Sequence, residues 1–399
     1  MNKVVVTLTS YPKRIRGVPR VLDSIMEQTY KPDVIVLYLS DEQFIERSLP
    51  IDLSTYYTQG VEIHWCQEDM KSHKKYLYAL REYPDDYIIT IDDDYYYDKY
   101  MIEELFQYTN KFPRCILARR THLITAKRDG NLSVYGRWWK ECMHYIGVPR
   151  MDLFAVGCGG ILYPPHLLAD EVFNTDCIKK CCLYADDIWL KVMELISGIP
   201  VLRVPTRLLD VSDEEFVKDG LYQQYNGTGG NDRSLHKLLG RYDYFNCMKK
   251  SLIEKIFSTG IVYEDEMVEG RKRDNINMVQ NYIEELDRDA DIIIYGAGVV
   301  AKRIYSVLKQ HKITDKIRAF VIENTYGNVS DIEGINVVQY KNADYENAVC
   351  IIAVADLNEQ YQICRKLLLF GLKENQILFL NYEIQAGLRE IIWKQINIH

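Results

Sequence analysis

What this chain lacks narrows it first. Its ten cysteines are scattered through apolar segments with no even-spaced framework, and no secretory leader precedes the strand that begins at Lys3. They read as reduced thiols of a cytoplasmic protein. The tightest group, Cys177, Cys181 and Cys182, has neither a second pair nor a well-spaced histidine, so it reads as core thiols rather than a zinc site. No apolar run approaches the roughly 20 residues needed to cross a bilayer, which leaves only peripheral contact with the inner face of a membrane. Basic excess is missing too. The net charge is −8 and the pI about 5.6, with lysine and arginine dispersed, which excludes a surface that tracks nucleic-acid phosphates.

What is present is enough apolar material, 47% of 399 residues, to fill the cores of roughly two or three domains. Strands alternating with helical periods argue for an α/β chain with a mostly parallel sheet. The 31 tyrosines suit flat, polar-edged surfaces that stack on sugars or bases.

The most informative stretch is Tyr87 to Tyr97. A β-branched apolar run after Pro84-Asp85-Asp86 reads as a buried strand, and it delivers Asp92, Asp93 and Asp94 to its C-terminal edge, where α/β sheets bind ligands. Alternation along a strand would turn Asp92 and Asp94 one way and Asp93 the other. Two carboxylates kept close and ionised call for a divalent cation with positions left open for phosphate oxygens. A solvated acidic turn is the alternative.

Upstream, Lys3 to Ser10 is a strand closed by Tyr11-Pro12, and Thr9, Tyr11 and Arg14 follow where a base and a diphosphate would sit. A second strand ends at Asp41 and a third is Val61 to Trp65. Asp69, Ser72 as an N-cap, and Lys74 open a helix whose N-terminus favours an anion. Downstream, Tyr135 to Lys140 reads as an exposed-looking aromatic and basic loop, with Trp138 and Trp139 placed to hold an acceptor sugar or touch lipid headgroups; ordinary partial burial of the tryptophans is the alternative. Gly157-Cys158-Gly159-Gly160 lacks the lysine of a phosphate-binding loop and reads as backbone brought close to a substrate. Asp186 and Asp187 open a helix, where a carboxylate can serve as general base for a hydroxyl. His236 is a candidate third metal ligand beside Asp92 and Asp94.

Taken in order, Val-Thr-Leu-Thr-Ser-Tyr-Pro-Lys-Arg-Ile, Ile-Ile-Thr-Ile-Asp-Asp-Asp, Gly-Cys-Gly-Gly-Ile-Leu-Tyr-Pro and Ala-Asp-Asp-Ile-Trp-Leu resemble a GT-A-fold glycosyltransferase of the bacterial surface-polysaccharide kind, over about residues 1–250. The resemblance implies a nucleotide-diphospho-sugar transferase fold that seats the nucleotide at Thr9, Tyr11, Arg14, Asp41, Asp69, Lys74, Asp92 and Asp93. It also implies Mn2+ or Mg2+ with Asp94 as the likeliest direct ligand, and an acceptor loop at Gly159 and Gly160. The base would be Asp187 or Asp186. The implied activity moves a sugar, with inversion, from a nucleotide donor such as a UDP-sugar to a hydroxyl of a glycan or lipid-linked saccharide. An oxidoreductase or epimerase acting on sugar nucleotides, and a non-catalytic sugar-nucleotide-binding scaffold, are the alternatives.

A helical, charged connector is expected over residues 251–288, with a helix near Met278 to Leu286. Beyond it, residues 289–399 resemble a smaller Rossmann-like domain. Gly296, Gly298 and Ala301 form a Gly-x-Gly-x-x-Ala turn between strand and helix, and Glu323 ends the next strand where it could meet a ribose hydroxyl. Such a module binds a nucleotide or assembles copies of the chain into a homo-oligomer. Tyr305 and Lys309 have the spacing of a short-chain dehydrogenase pair but lie on the helix beside the glycine turn, which argues for coincidence.

Overall fold

The computed structural model describes residues 2–206, 211–212, 225–245, 251–286, 290–324 and 330–396. The chain divides into two compact units, Met1–Met267 and Val268–His399. Among the described residues no helix is long and apolar enough to cross a membrane.

The strands of the first unit are β1 (Val4–Thr9), β2 (Val34–Ser40), β3 (Val61–Cys66), β4 (Tyr87–Thr90), β5 (Tyr95–Tyr96), β6 (Ile116–Ala118), β7 (Thr121–Leu123), β8 (Leu153–Ala155), β9 (Ile161–Tyr163), β10 (Val201–Arg203) and β11 (Val211–Ser212). Seven of them form one sheet in the order β10-β6-β9-β4-β1-β2-β3. The pairings of β1 with β2 and β4, of β2 with β3 and of β6 with β10 are parallel, and β9 runs antiparallel between β4 and β6. The mixed α/β architecture expected from the sequence is therefore present. Val5, Val36, Tyr38 and Ile88 pack on one face, and Val6, Leu8, Leu37 and Ile89 on the other. Burial on both faces is why these strands read as unbroken apolar runs.

Successive strands leave β1 through β2 to β3, and the chain then returns to β4 on the other side of β1. The order reverses at that point, and the carboxyl ends of β1 and β4 form the crevice that such a reversal opens.

The second unit holds β12 (Asp291–Tyr295), β13 (Ile317–Ile322), β14 (Asp331–Ile332), β15 (Ile335–Gln339), β16 (Ala348–Ile352) and β17 (Ile377–Phe379). Their order is β14-β15-β13-β12-β16-β17, parallel except for the β14 edge. The charge density over 263–275 suggests a connector, yet a 23-residue helix, Glu264–Leu286, runs through it. Glutamate, lysine, arginine and methionine are good helix formers, and the buried residues Val279, Tyr282, Ile283 and Leu286 recur at helical spacing.

Candidate active site at the edge of the first sheet

The acidic stretch leaves the sheet earlier than strand alternation would have it. β4 stops at Thr90, and the backbone N–H of Asp92 donates to the Tyr97 hydroxyl at 2.8 Å, which turns the chain. Alternation no longer governs the next three side chains. Asp93 and Asp94 instead converge on Arg14, whose Nη2 lies 2.7 Å from Asp93 Oδ1 and 2.6 Å from Asp94 Oδ2. The Ser10 hydroxyl donates to the second oxygen of Asp93 at 2.5 Å. Asp92 turns toward Lys75, with Nζ 2.6 Å from its Oδ1. The expected grouping of Asp92 with Asp94 against Asp93 is thus replaced by Asp93 with Asp94 on one cation and Asp92 on another.

The helix Asp186–Ser197 brings the second acidic pair to the same cations. Lys75 Nζ is also 3.0 Å from Asp186 Oδ2. Asp187 accepts the Gly157 N–H at 3.2 Å through Oδ2, while its Oδ1 is buried without a hydrogen-bond partner. Burial alone would raise the Asp186 carboxyl, but Lys75 and then His73 outweigh it and hold the group at about 2. Asp187 moves the opposite way, well above the ordinary carboxylate range, pushed by burial and then by the charge of Asp186. The two adjacent carboxyls are therefore driven apart, one held as an anion and the other toward its protonated form.

The cluster crowds carboxyls around two cations. Arg14 and Lys75 are the cations paired directly with Asp92, Asp93, Asp94 and Asp186, and Asp187 adds a fifth carboxyl. Burial, with Asp92 and Asp93 nearby, lifts Asp94 to about 7 despite Arg14. Crowded hard oxygens suit a divalent cation, but Asp92 and Asp94, the pair expected to hold it, are divided between Lys75 and Arg14. A third protein ligand is not gathered with them: His236 is exposed on the helix Gly230–Phe245, and among the described residues no three of His, Cys, Asp and Glu form a metal-holding group.

Several expected site residues are occupied elsewhere. The Thr9 hydroxyl donates to the Tyr38 carbonyl at 2.7 Å, and half-buried Tyr11 supplies its carbonyl to the N–H of Arg14 at 2.9 Å. Asp41 pairs with Arg47 at 2.8 and 3.2 Å. Asp69 binds Lys71 and Lys74, the latter at 2.5 Å, so Lys74 is a buried structural ion and its neighbour Lys75 is the one that reaches the aspartates. Ser72 caps no helix. Trp138 and Trp139 are not an exposed loop: they are 2% and 7% exposed, and the Trp138 indole donates to the Ser133 carbonyl at 3.0 Å. The apolar area of each ring is worth more inside the core than in solvent. The Gly159 and Gly160 positions face protein, since a Cβ on Gly159 would meet Arg120 Cβ at 2.5 Å and one on Gly160 would meet Met101 Sδ at 3.2 Å. Gly157 is the glycine that borders the carboxylates.

No family model matches the chain, and no curated protein does. Solved structures do match, each at low similarity. Glucosyl-3-phosphoglycerate synthase from Mycobacterium tuberculosis, in complex with Mn2+, uridine-diphosphate-glucose and phosphoglyceric acid, is 12% identical with TM-score 0.22, over 29% of this chain and 43% of that one. S. aureus TarS, residues 1–349, is 11% identical with TM-score 0.33, over 61% and 72%. A mannosyltransferase from Pyrobaculum calidifontis, in complex with GDP-Man and Mn2+, is 10% identical with TM-score 0.32, over 64% and 79%. The chain spans less than half the length of the first of these.

Three participants escaped the sequence reading. Lys75 is indistinguishable from Lys74 in a run of charged residues, and only its place one step further round the turn tells them apart. Ser10 ends β1 like any strand-terminal hydroxyl. Arg120, which contacts Tyr95 Oη at 3.3 Å, Cys158 Sγ at 3.0 Å and Glu141, lies far from each in sequence. The only hint of it is the glycine at 159, which makes room for its side chain.

Proposed function

We propose that the first unit is a glycosyltransferase of the GT-A type that moves a sugar from a nucleotide-diphosphate donor, such as a UDP-sugar, to a hydroxyl of a glycan or lipid-linked saccharide. The observation that carries the reading is the meeting, at one sheet edge, of an acidic trio paired with Arg14 and Lys75 and a carboxyl, Asp187, with one oxygen unengaged. Departure of a nucleoside diphosphate builds negative charge, and fixed cations aimed at that charge lower the barrier. Arg14 is the residue suited to this, because its Nη2 lies beside both Asp93 and Asp94 and a guanidinium also pairs with phosphate oxygens. A divalent cation held by Asp92 and Asp94 would supply Lewis-acid stabilisation of the same charge. Asp187 takes the proton of the attacking hydroxyl through Oδ1, and transfer proceeds with inversion. Asp186, held as an anion by Lys75, is the less suited of the two to be the base. Biosynthesis of a surface polysaccharide is the setting the sequence resemblance supports.

The second unit is proposed as a nucleotide-binding or assembly module. Support comes from the order β15-β13-β12-β16-β17, which is that of a dinucleotide-binding sheet. Gly296 at φ +120 sits where a Cβ would lie 2.9 Å from the Ala353 carbonyl oxygen, and Gly298 precedes the helix Val299–Gln310. Redox chemistry of its own is not supported there. Tyr305 is buried against Phe320 and Lys309 pairs with Glu333 at 2.8 Å, so neither is free to act on a substrate.

The test is to incubate the pure protein with a panel of nucleotide sugars and Mn2+, with and without chelator, and measure release of nucleoside diphosphate. Release that persists unchanged in Asp94→Asn and Asp187→Asn would count decisively against the transferase.

A further inference from the structure

The geometry points to Lys75 as a positioning residue: one ammonium shared between Asp92 and Asp186 holds the acidic strand end and the base-bearing helix in register. The inference rests on the transferase reading and on Asp187 as base.

A lysine taken out of water is costly unless its charge is met by well-placed partners. Lys75 is 3% exposed, and its Nζ has two such partners, Asp92 Oδ1 at 2.6 Å and Asp186 Oδ2 at 3.0 Å. Its main chain is fixed as well, because the Thr7 hydroxyl of β1 donates to the Lys75 carbonyl at 2.7 Å. The main chain that carries the amine is therefore anchored to the strand at the switch point.

The two carboxylates arrive from different parts of the chain. Asp92 follows β4, and Asp186 is the first residue of a twelve-residue helix whose second residue is Asp187. Neutralising a single buried charge needs one partner. Bridging the two elements fixes where the first turn of that helix begins, and with it where Asp187 Oδ1 points. Gly157 shows how closely amine and base approach one space. A Cβ built there would be 3.1 Å from Lys75 Nζ and 3.0 Å from Asp187 Oδ1. An error of about 1 Å in such a placement can cost on the order of 100-fold in rate.

The experiment is a double-mutant cycle in nucleotide-sugar turnover, with Lys75→Met, which keeps an unbranched apolar stem and removes the ammonium, and Asp187→Asn. Lys75→Met should lower kcat by about 10- to 100-fold, as loss of a supporting residue commonly does, with the acceptor KM changed far less. In the Asp187→Asn background it should lower kcat less than about 2-fold, because groups that act as a unit are not additive. Equal losses in both backgrounds would overturn the inference. If Lys75→Met does not fold, Asp186→Asn takes its place in the cycle with the same two outcomes.

The two possible failures separate. Full turnover in Asp187→Asn, or none in the wild type, refutes the transferase reading. The bridge itself is then read without activity, from thermal midpoints of Lys75→Met, Asp186→Asn and the pair. A double variant less destabilised than the sum of the singles supports the bridge, and strict additivity refutes it.

Discussion

Two mostly parallel sheets in this chain reverse strand order beside their first strand, and their edges are finished by opposite chemistry. At the β1 and β4 edge, Arg14 and Lys75 are divided among buried carboxylates, and Asp187 keeps an oxygen without a partner. At the β12 and β16 edge the closure is by neutral amides. Gln360 donates to the carbonyls of Val354 at 2.9 Å and Leu380 at 2.8 Å, and Gln385 donates to Ala355 at 3.0 Å. Glu323, at the end of β13, is taken up by Lys366. An edge sealed by satisfied amides is stable by itself, whereas an edge of crowded charge is costly unless something further joins it. The difference teaches where a reaction would be housed: topology offers two crevices, and among the described residues the first is the one left with crowded charge.

The sharpest way to break that comparison is at Asp187. Asp187→Asn should cut nucleotide-sugar turnover by roughly 10²–10⁴-fold, the usual share of a general base, while the far-ultraviolet spectrum stays that of the wild type. Next comes the acidic trio. Asp94→Asn or chelation should each cost on the order of 100-fold, with Mn2+ restoring the chelated wild type and not the variant. Kinetics that ignore both changes would leave the first edge no more active than the second.

A pair of glycines sharpens the contrast at smaller scale. Gly157→Ala places a methyl 3.0 Å from Asp187 Oδ1 and 3.1 Å from Lys75 Nζ. It should lower kcat by about 10-fold, since small misplacements near reacting groups are amplified, with little change in melting midpoint. Gly296→Ala meets the Ala353 carbonyl oxygen at 2.9 Å with φ at +120. Strain of this kind costs about 1–3 kcal/mol, and calorimetry should show that loss with turnover unchanged.

A pH dependence of stability is also expected of the first unit. His73 is wholly buried, with Nε2 donating to the Cys182 carbonyl at 3.0 Å and Nδ1 accepting from the Tyr76 hydroxyl at 2.6 Å. Burial lowers it to about 4 from the usual 6.5. Between those values the unfolded chain binds a proton that the folded chain does not, so stability rises with pH across the window and is lost as pH falls through it. From pH 6.5 to 5 the loss is about 2 kcal/mol at 1.36 kcal/mol per unit. Urea unfolding of His73→Gln should show a shallower slope by that amount; buried His122, lowered by burial, Lys140 and Arg120, adds a slope of the same sign, and Asp94, raised by burial to about 7, adds one of the opposite sign.

Much of this arrangement was legible beforehand, and its failures have physical causes. The apolar runs of β1, β2, β4 and β12 are buried on both sides, so their composition reports their position directly. Asp92, Asp93, Asp94, Asp186 and Asp187 were visible because acids at the ends of apolar elements are conspicuous. Trp138 and Trp139 misled because a tryptophan-rich segment with flanking charges looks the same whether its rings face water or core. Lys74 was chosen over Lys75 because sequence spacing cannot say which of two adjacent lysines faces inward. Asp92 and Asp94 were paired because period-two alternation was carried beyond Thr90, where the Tyr97 hydroxyl ends the strand geometry.

Taken alone, the sequence determined the alternation of strands and helices, the buried strands and the acids at their ends, because apolar periodicity and turn residues act over a few neighbours. Only the tertiary structure decided which cation meets which carboxylate, that Asp187 keeps one oxygen without a partner while Asp186 is tied to Lys75, and that Gly159 makes room for Arg120. Those outcomes depend on side chains brought together across the sheet, where charge and space are shared among residues that no local pattern connects.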